Sequence, residues 1–158
     1  MNDITTEEFK DIETYTASEL ISAEKEEFFS SDKHNKDIDD NQKHLLSAVR
    51  KLDSKKSKYL LDGHFCLLIE NGQITRIDSD TFTNLKPDAI ILLTETPEVI
   101  AERRKARDNI NCNIDEITAF QNEEIAYAEE VAKLLSVKLI ISHGTDDLNA
   151  IVDFIRNL

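Results

Sequence analysis

Arg103, Arg104 and Arg107, with Lys105 among them, stand together in a chain whose net charge is −13. A guanidinium fork matches the oxygens of phosphate and carboxylate, so this cluster offers an anion site. At helical spacing Arg103 and Arg107 share a face while Arg104 is offset by about 100°. The same residues also suit a solvated helix end, favoured by the macrodipole and paired with Glu98 or Glu102. Two further places carry polar groups at the ends of apolar runs. Asp62 and His64 flank Gly63 after YLLD, and His143-Gly144 follows VKLIIS. In open α/β sheets ligands bind at the carboxyl ends of the strands, where all four residues fall. Each also has a plainer use as part of a turn, an Asp there accepting from the amides that follow it.

What these groups lack is a phosphate grip. A phosphate-cradling loop needs two or three glycines within about eight residues, followed by Lys and Ser or Thr. The chain has three glycines, Gly63, Gly72 and Gly144, and no window brings two together. Other chemistries fail on spacing. His34, His44, His64 and His143 show no metal-ligand pattern, and Cys66 and Cys112 have no partner at CxxC distance. Asp37, Asp39 and Asp40 hint at a calcium loop that lacks its glycine and twelfth-position Glu. No GxSxG element occurs.

The elements that must position these residues read as alternating strands and helices. At 158 residues one domain is expected, spanning 1–158. Ile4, Phe9 and Ile12 give a weak helical stripe. Glu13–Thr16 is β-prone, and Ser18 is expected to cap a helix reaching Phe29. Residues 30–40 read as a mobile acidic loop. A helix from about Asp40 carries Leu45, Leu46, Val49 and Leu52 on one face. Lys58–Asp62 is a strand, and Asn71-Gly72 between Phe65–Glu70 and Gln73–Ile77 is a hairpin signal.

Ser79–Leu85 reads as a short helix, and the unbroken apolar run Ala89–Leu93 as a covered parallel strand. Thr96-Pro97-Glu98 has the form of a helix start. A long helix from about Asp115 to Leu135, a strand Val137–Ser142 and a helix from Asp146 close the chain, with Leu148, Ile151, Val152 and Ile155 inward. The alternation predicts a three-layer α/β fold with a mainly parallel sheet and a β-hairpin insertion.

Charge and cysteine usage narrow the partners. A charge of −13 disfavours a nucleic-acid backbone, while a small anion or a basic protein stays possible. Two unpaired cysteines, with Cys66 in an apolar run, fit free thiols in a reducing cytosol. No apolar run reaches 18 residues and the N-terminus is polar and acidic, so a cytoplasmic protein without a membrane partner is expected.

The stretches TYTASELI (Thr14–Ile21), YLLDGHFCLL (Tyr59–Leu68), PDAIILLTETPEVIAERRKARD (Pro87–Asp108) and QNEEIAYAEEVAKLLSVKLIIS (Gln121–Ser142) resemble the small nucleotide kinases among P-loop proteins. The likeness is to archaeal-type adenylate kinases and related bacterial ATP-binding proteins. It implies a sheet of order 2-3-1-4-5 and ATP with Mg as cofactors of an active member. It further implies that Asp62 helps hold magnesium-bound phosphates through water. His64, in the turn at the same edge, is a candidate substrate contact or an ordinary turn histidine. Arg103, Arg104 and Arg107 would clamp phosphates, and His143-Gly144 would hold a base.

The chain departs from that family in two places. About a dozen residues precede TYTASELI where the family has its first strand, phosphate loop and first helix, so residues 1–12 read as a remnant of that helix. The family also carries an arginine near positions 123–127, where this chain has Glu123, Glu124 and Ile125. Glu123, Glu124, Glu129 and Glu130 therefore read as a solvated face. The expectation is a degenerate kinase-like protein without a phosphate loop, non-catalytic and regulatory, working through a protein partner or a homo-oligomer. The alternative is an ATP-dependent kinase of nucleotides or small metabolites whose loop is truncated here or supplied by another chain. The third reading is a module that binds a nucleotide or other anion without turning it over.

Overall fold

The computed structural model describes residues 9–28, 38–55 and 58–158. The residue-30 loop up to Asp37 and the stripe residue Ile4 lie outside them. The chain divides into two compact units, one ending at Gly63 and one running from His64 to Leu158.

The first unit pairs two parallel strands with two helices. Phe9 to Asp11 form a turn and Ile12 opens strand β1 (Ile12–Thr16), while the rest of the 1–12 segment read as a helix remnant lies outside the described residues. β1 runs parallel to β2 (Lys58–Asp62), with Ile12 opposite Lys58 and Thr16 opposite Asp62. Tyr15 and Tyr59 meet edge to face across this ladder at 6.1 Å. Helix α1 (Ala17–Phe28) is capped by Thr16, not by Ser18, since the Thr16 hydroxyl accepts from the Glu19 amide at 3.2 Å. Helix α2 (Ile38–Asp53) begins two residues earlier than its apolar stripe suggests. It packs against α1 through buried Leu45, Ala48, Val49 and Leu52. Within that seam Glu24 of α1 accepts from Ser47 Oγ at 2.5 Å and Lys51 Nζ at 2.8 Å.

In the second unit Asn71-Gly72 turns a short hairpin, β3 (Cys66–Leu68) with β4 (Ile74–Arg76), Gly72 taking φ 76°. Helix α3 (Ser79–Leu85) follows, capped by Asp78. Strand β5 (Ala89–Thr94) pairs in parallel with β6 (Lys138–His143). Helix α4 (Pro97–Asp108) starts as read, with Thr96 accepting from the Val99 amide and Pro97 in the first turn. Helix α5 (Ile114–Leu135) lies across both strand pairs. A single 3-10 turn (Thr145–Asp147) leads to α6 (Leu148–Arg156), whose Val152 is buried. Leu148 is 54 % exposed instead of inward, because the 3-10 turn delays the helix and rotates its first residue outward.

Cys66, Ile77, Phe82, Ile90, Tyr127, Val131 and Ala132 form the core of this unit. Phe65 and Phe82 stack at 4.8 Å, and the Tyr127 hydroxyl donates to the Ile77 carbonyl at 2.6 Å. Arg76 lies 4.7 Å over the Tyr127 ring and bonds Glu123 and Glu130, which ties the hairpin to α5. The result is a mixed α/β protein with parallel strand pairs and an inserted hairpin. Among the described residues each pair has two strands: β2 has β1 as its partner, and β5 has β6.

Candidate functional site

The carboxyl end of the β5–β6 pair collects more of the singled-out residues than any other part of the second unit. Thr94 and His143 end the two strands opposite each other. Thr94 is buried, and its hydroxyl donates to the Ser142 carbonyl at 2.6 Å. That uses its one proton, so towards His143 Nδ1, 3.1 Å away, it accepts. The hydrogen-bond chain thereby assigns the ring proton to Nδ1 and leaves Nε2 facing outward on an exposed side chain.

Glu95, the next residue after β5, organises the edge. Its amide donates to Gln121 Oε1 at 3.1 Å, and its carbonyl accepts from Gln121 Nε2 at 2.8 Å. Its carboxylate takes the Thr96 amide and Arg103. Gly144 sits against the same carboxylate. Its φ of 81° is a glycine conformation, and a Cβ there would come 3.1 Å from Glu95 Oε2. Thus Arg103, His143 and Gly144 share one edge, joined by Glu95 and Thr94.

The main chain of this edge is already engaged. The Gly144 amide donates to the Thr94 carbonyl at 2.9 Å, and the His143 amide to Asp147 Oδ2 at 2.7 Å. A ligand here meets side chains, not free amides of these two residues.

The arginines do not act as one cluster. Arg103 Nη2 lies 3.3 Å from Glu95, and Arg107 is bidentate on its neighbour Asp108 at 2.8 and 2.6 Å. Hydrogen bonding from Arg107, with Arg104 adding, holds the Asp108 carboxyl below its usual range. Arg104 forms no ion pair with a described residue. The carboxylates engaged are Glu95 and Asp108 in place of Glu98 and Glu102, because the Arg103 side chain leans back towards the helix start and Arg107 turns to its sequence neighbour.

His64 lies elsewhere in this unit, 69 % exposed, with Nδ1 3.7 Å from Glu124 Oε1. Glu124 is not on a solvated face. It is 8 % exposed, and its carboxylate accepts the Phe65 amide at 3.2 Å and the Cys66 amide at 2.9 Å. Helical spacing supplies the reason, since Glu124 falls in line with buried Ile117, Tyr127, Ala128 and Val131. Glu123 is half-buried on Arg76, so the reading of a solvated face holds only for Glu129 and Glu130, both exposed. Asp62 belongs to the first unit, exposed at the end of β2. Cys66 is buried and Cys112 half-buried, both free.

The glycines are spoken for individually. Gly63 follows β2, Gly72 makes the hairpin turn and Gly144 lies against the Glu95 carboxylate. Among the described residues no helix is long and apolar enough to cross a membrane.

Comparison with known proteins supplies the family. A family model described as an AAA domain matches residues 4–121, which takes in both parallel strands of the first unit, the hairpin, β5, α4 and the start of α5. No curated protein matches the chain. With parallel strand pairs flanked by helices and this match over most of its length, the chain belongs to the AAA domain family, within the kinase-type P-loop NTPase-like proteins.

Proposed function

We propose that this chain is a degenerate member of the P-loop kinase superfamily that lacks a phosphate-binding loop and works by binding another protein. The observation that carries the reading is the glycine inventory: three in the whole chain, well separated, with no Lys-Ser or Lys-Thr behind a glycine pair. A triphosphate with its magnesium asks for a nest of amides at a helix start. The residues present do not fit that group, and Arg103 and Arg107 are already held by Glu95 and Asp108.

Magnitudes support a non-catalytic role. Phosphoryl transfer depends almost wholly on positioning and charge stabilisation. One preorganised donor contributes about 3 kcal/mol, which is about a hundredfold in rate, and the missing loop supplies several. The third reading, an anion held without turnover, draws support from Arg104, which has no ion-pair partner among the described residues. Asp62 and His64 are then contact residues without a catalytic part. A cytoplasmic setting and one domain comprising both units belong to the same proposal.

A coupled ATPase assay on the purified chain tests it. No turnover above buffer is the expected result. Steady hydrolysis that Asp62→Ala abolishes would overturn the reading, and favour the alternative of a kinase completed by a loop from elsewhere.

A further inference from the structure

We propose that Asn71 is a self-modification site: its side chain closes on the Gly72 amide nitrogen and sheds ammonia, at a rate set by opening of the hairpin tip. The inference goes beyond the proposed function and does not depend on it.

Of the chain's asparagines only Asn71 is followed by glycine. A glycine has no Cβ, so the side chain before it reaches the next backbone nitrogen unhindered. In the step, Gly72 N bonds Asn71 Cγ and the Cγ–Nδ2 bond breaks. Nδ2 departs as ammonia with the proton that Gly72 gave up. Water then opens the cyclic imide at either carbonyl and leaves aspartate or isoaspartate at position 71.

The hairpin tip supplies most of what this reaction needs. Asn71 and Gly72 are both exposed, and a Cβ on Gly72 would meet no described atom within 4 Å. Nδ2 has no hydrogen-bond partner among the described residues, so the leaving group is unrestrained. The Gln73 amide donates to Asn71 Oδ1 at 2.9 Å, the oxygen on which negative charge gathers as the nitrogen attacks. One need is withheld. The Gly72 amide donates to the Ile69 carbonyl at 2.8 Å, and the attacking nitrogen keeps its proton while that bond holds. The Ile69 amide closes the loop by donating to the Gln73 carbonyl at 3.0 Å.

The two bonds at the tip differ in what breaks them. The one from Gln73 to Asn71 spans two residues and outlasts fraying of the strands. The one from Gly72 to Ile69 belongs to the closed turn and goes with it, which frees the nucleophile beside an electrophile already polarised. The product is one-way. Isoaspartate routes the main chain through the side-chain carbons, so Ile69 and Gln73 lose their spacing and the tip does not close again as before.

The full chain, folded or in urea, is held in mildly alkaline buffer, and peptide mapping follows aspartate and isoaspartate at position 71. Mapping also keeps this position apart from Asp62, which a glycine follows too. Conversion at Asn71 is expected in both states and about tenfold or more faster in urea, because the folded chain reacts only through its open fraction. Glu124→Ala loosens the start of β3, and Arg76→Gln unties β4 from α5. Each should bring the folded rate towards the rate in urea. No conversion in urea overturns the proposal, as do equal rates in the two states. A folded rate that stays put while either variant speeds hydrogen exchange in β3 and β4 overturns it as well. The ATPase assay is untouched by any of these outcomes, so the two readings fail independently.

Discussion

Glu24 and Glu124 are 4 % and 8 % exposed, yet Glu24 meets a lysine and a serine hydroxyl while Glu124 meets two backbone amides. The difference follows the make-up of their units. Among the described residues of the first unit, the buried apolar ones come from α2, and none of them lies in β1 or β2. Glu24 there ties two helices by side chains that can rearrange. In the second unit the strands and α5 share one core, and Glu124 caps the start of β3 inside it. A fixed amide cannot turn to another acceptor. The lesson is that a buried carboxylate matters in proportion to how immovable its partners are.

The sharpest way to break this comparison is Glu124→Ala. It leaves the Phe65 and Cys66 amides without their acceptor, at a cost of about 3 kcal/mol from the penalty for buried unsatisfied donors. Glu124→Gln keeps an acceptor oxygen and is expected to lose about 1 kcal/mol. Native-state hydrogen exchange reads both locally. Faster exchange in β3 and β4 for Glu124→Ala, with Glu124→Gln close to wild type, is the expected pattern. Equal losses for the two variants would show that charge, and not the acceptor, is what the amides require.

Glu24→Gln is the matching change in the first unit, expected to cost about 1.5 kcal/mol as a charge-assisted bond is weakened. It carries a pH signature. Hydrogen bonds from Lys51 and then Ser47 hold the Glu24 carboxyl below its ordinary range. Such a group contributes stability that is full above the unfolded carboxylate pKa and fades as pH falls through the lower folded value. The gap between wild type and Glu24→Gln, followed by exchange in α1 and α2, should therefore be level near neutrality and close in acid. A gap that stays open in acid removes the ionic explanation.

Local chemistry made much of this legible in the residues. Thr96-Pro97-Glu98, Asn71-Gly72 and the uncharged run at Ala89 each specify an element through capping, turn geometry or burial, and each element formed. Choices that turn on tertiary partners were not readable. Thr16 and Ser18 are equal as caps until the strand direction places one hydroxyl over the Glu19 amide. Glu95 carries no signal in its own neighbourhood, since its role comes from Arg103, Gln121 and Gly144, which three different segments deliver. Glu124 did carry a signal. Counting it with its helical neighbours at three, four and seven positions puts a carboxylate on the core face of α5.

The smallest expected effect is on reactivity instead of stability, and it tests the tighter core of the second unit. Burial, with Glu124 and then Glu123 adding, pushes the Cys66 thiol up to about 11. An ordinary thiol ionises near pH 8.5, so between these values the unfolded chain is a thiolate while the folded one is not. The stabilisation is complete below that range and is lost as pH rises towards about 11. At pH 8, alkylation should therefore label half-buried Cys112 promptly and reach Cys66 only through opening of the core. Glu124→Ala loosens the amide of Cys66 itself, so it should speed the second labelling far more than Glu24→Gln does. If the two variants accelerate Cys66 equally, the units do not open separately and the contrast between their buried acids loses its basis.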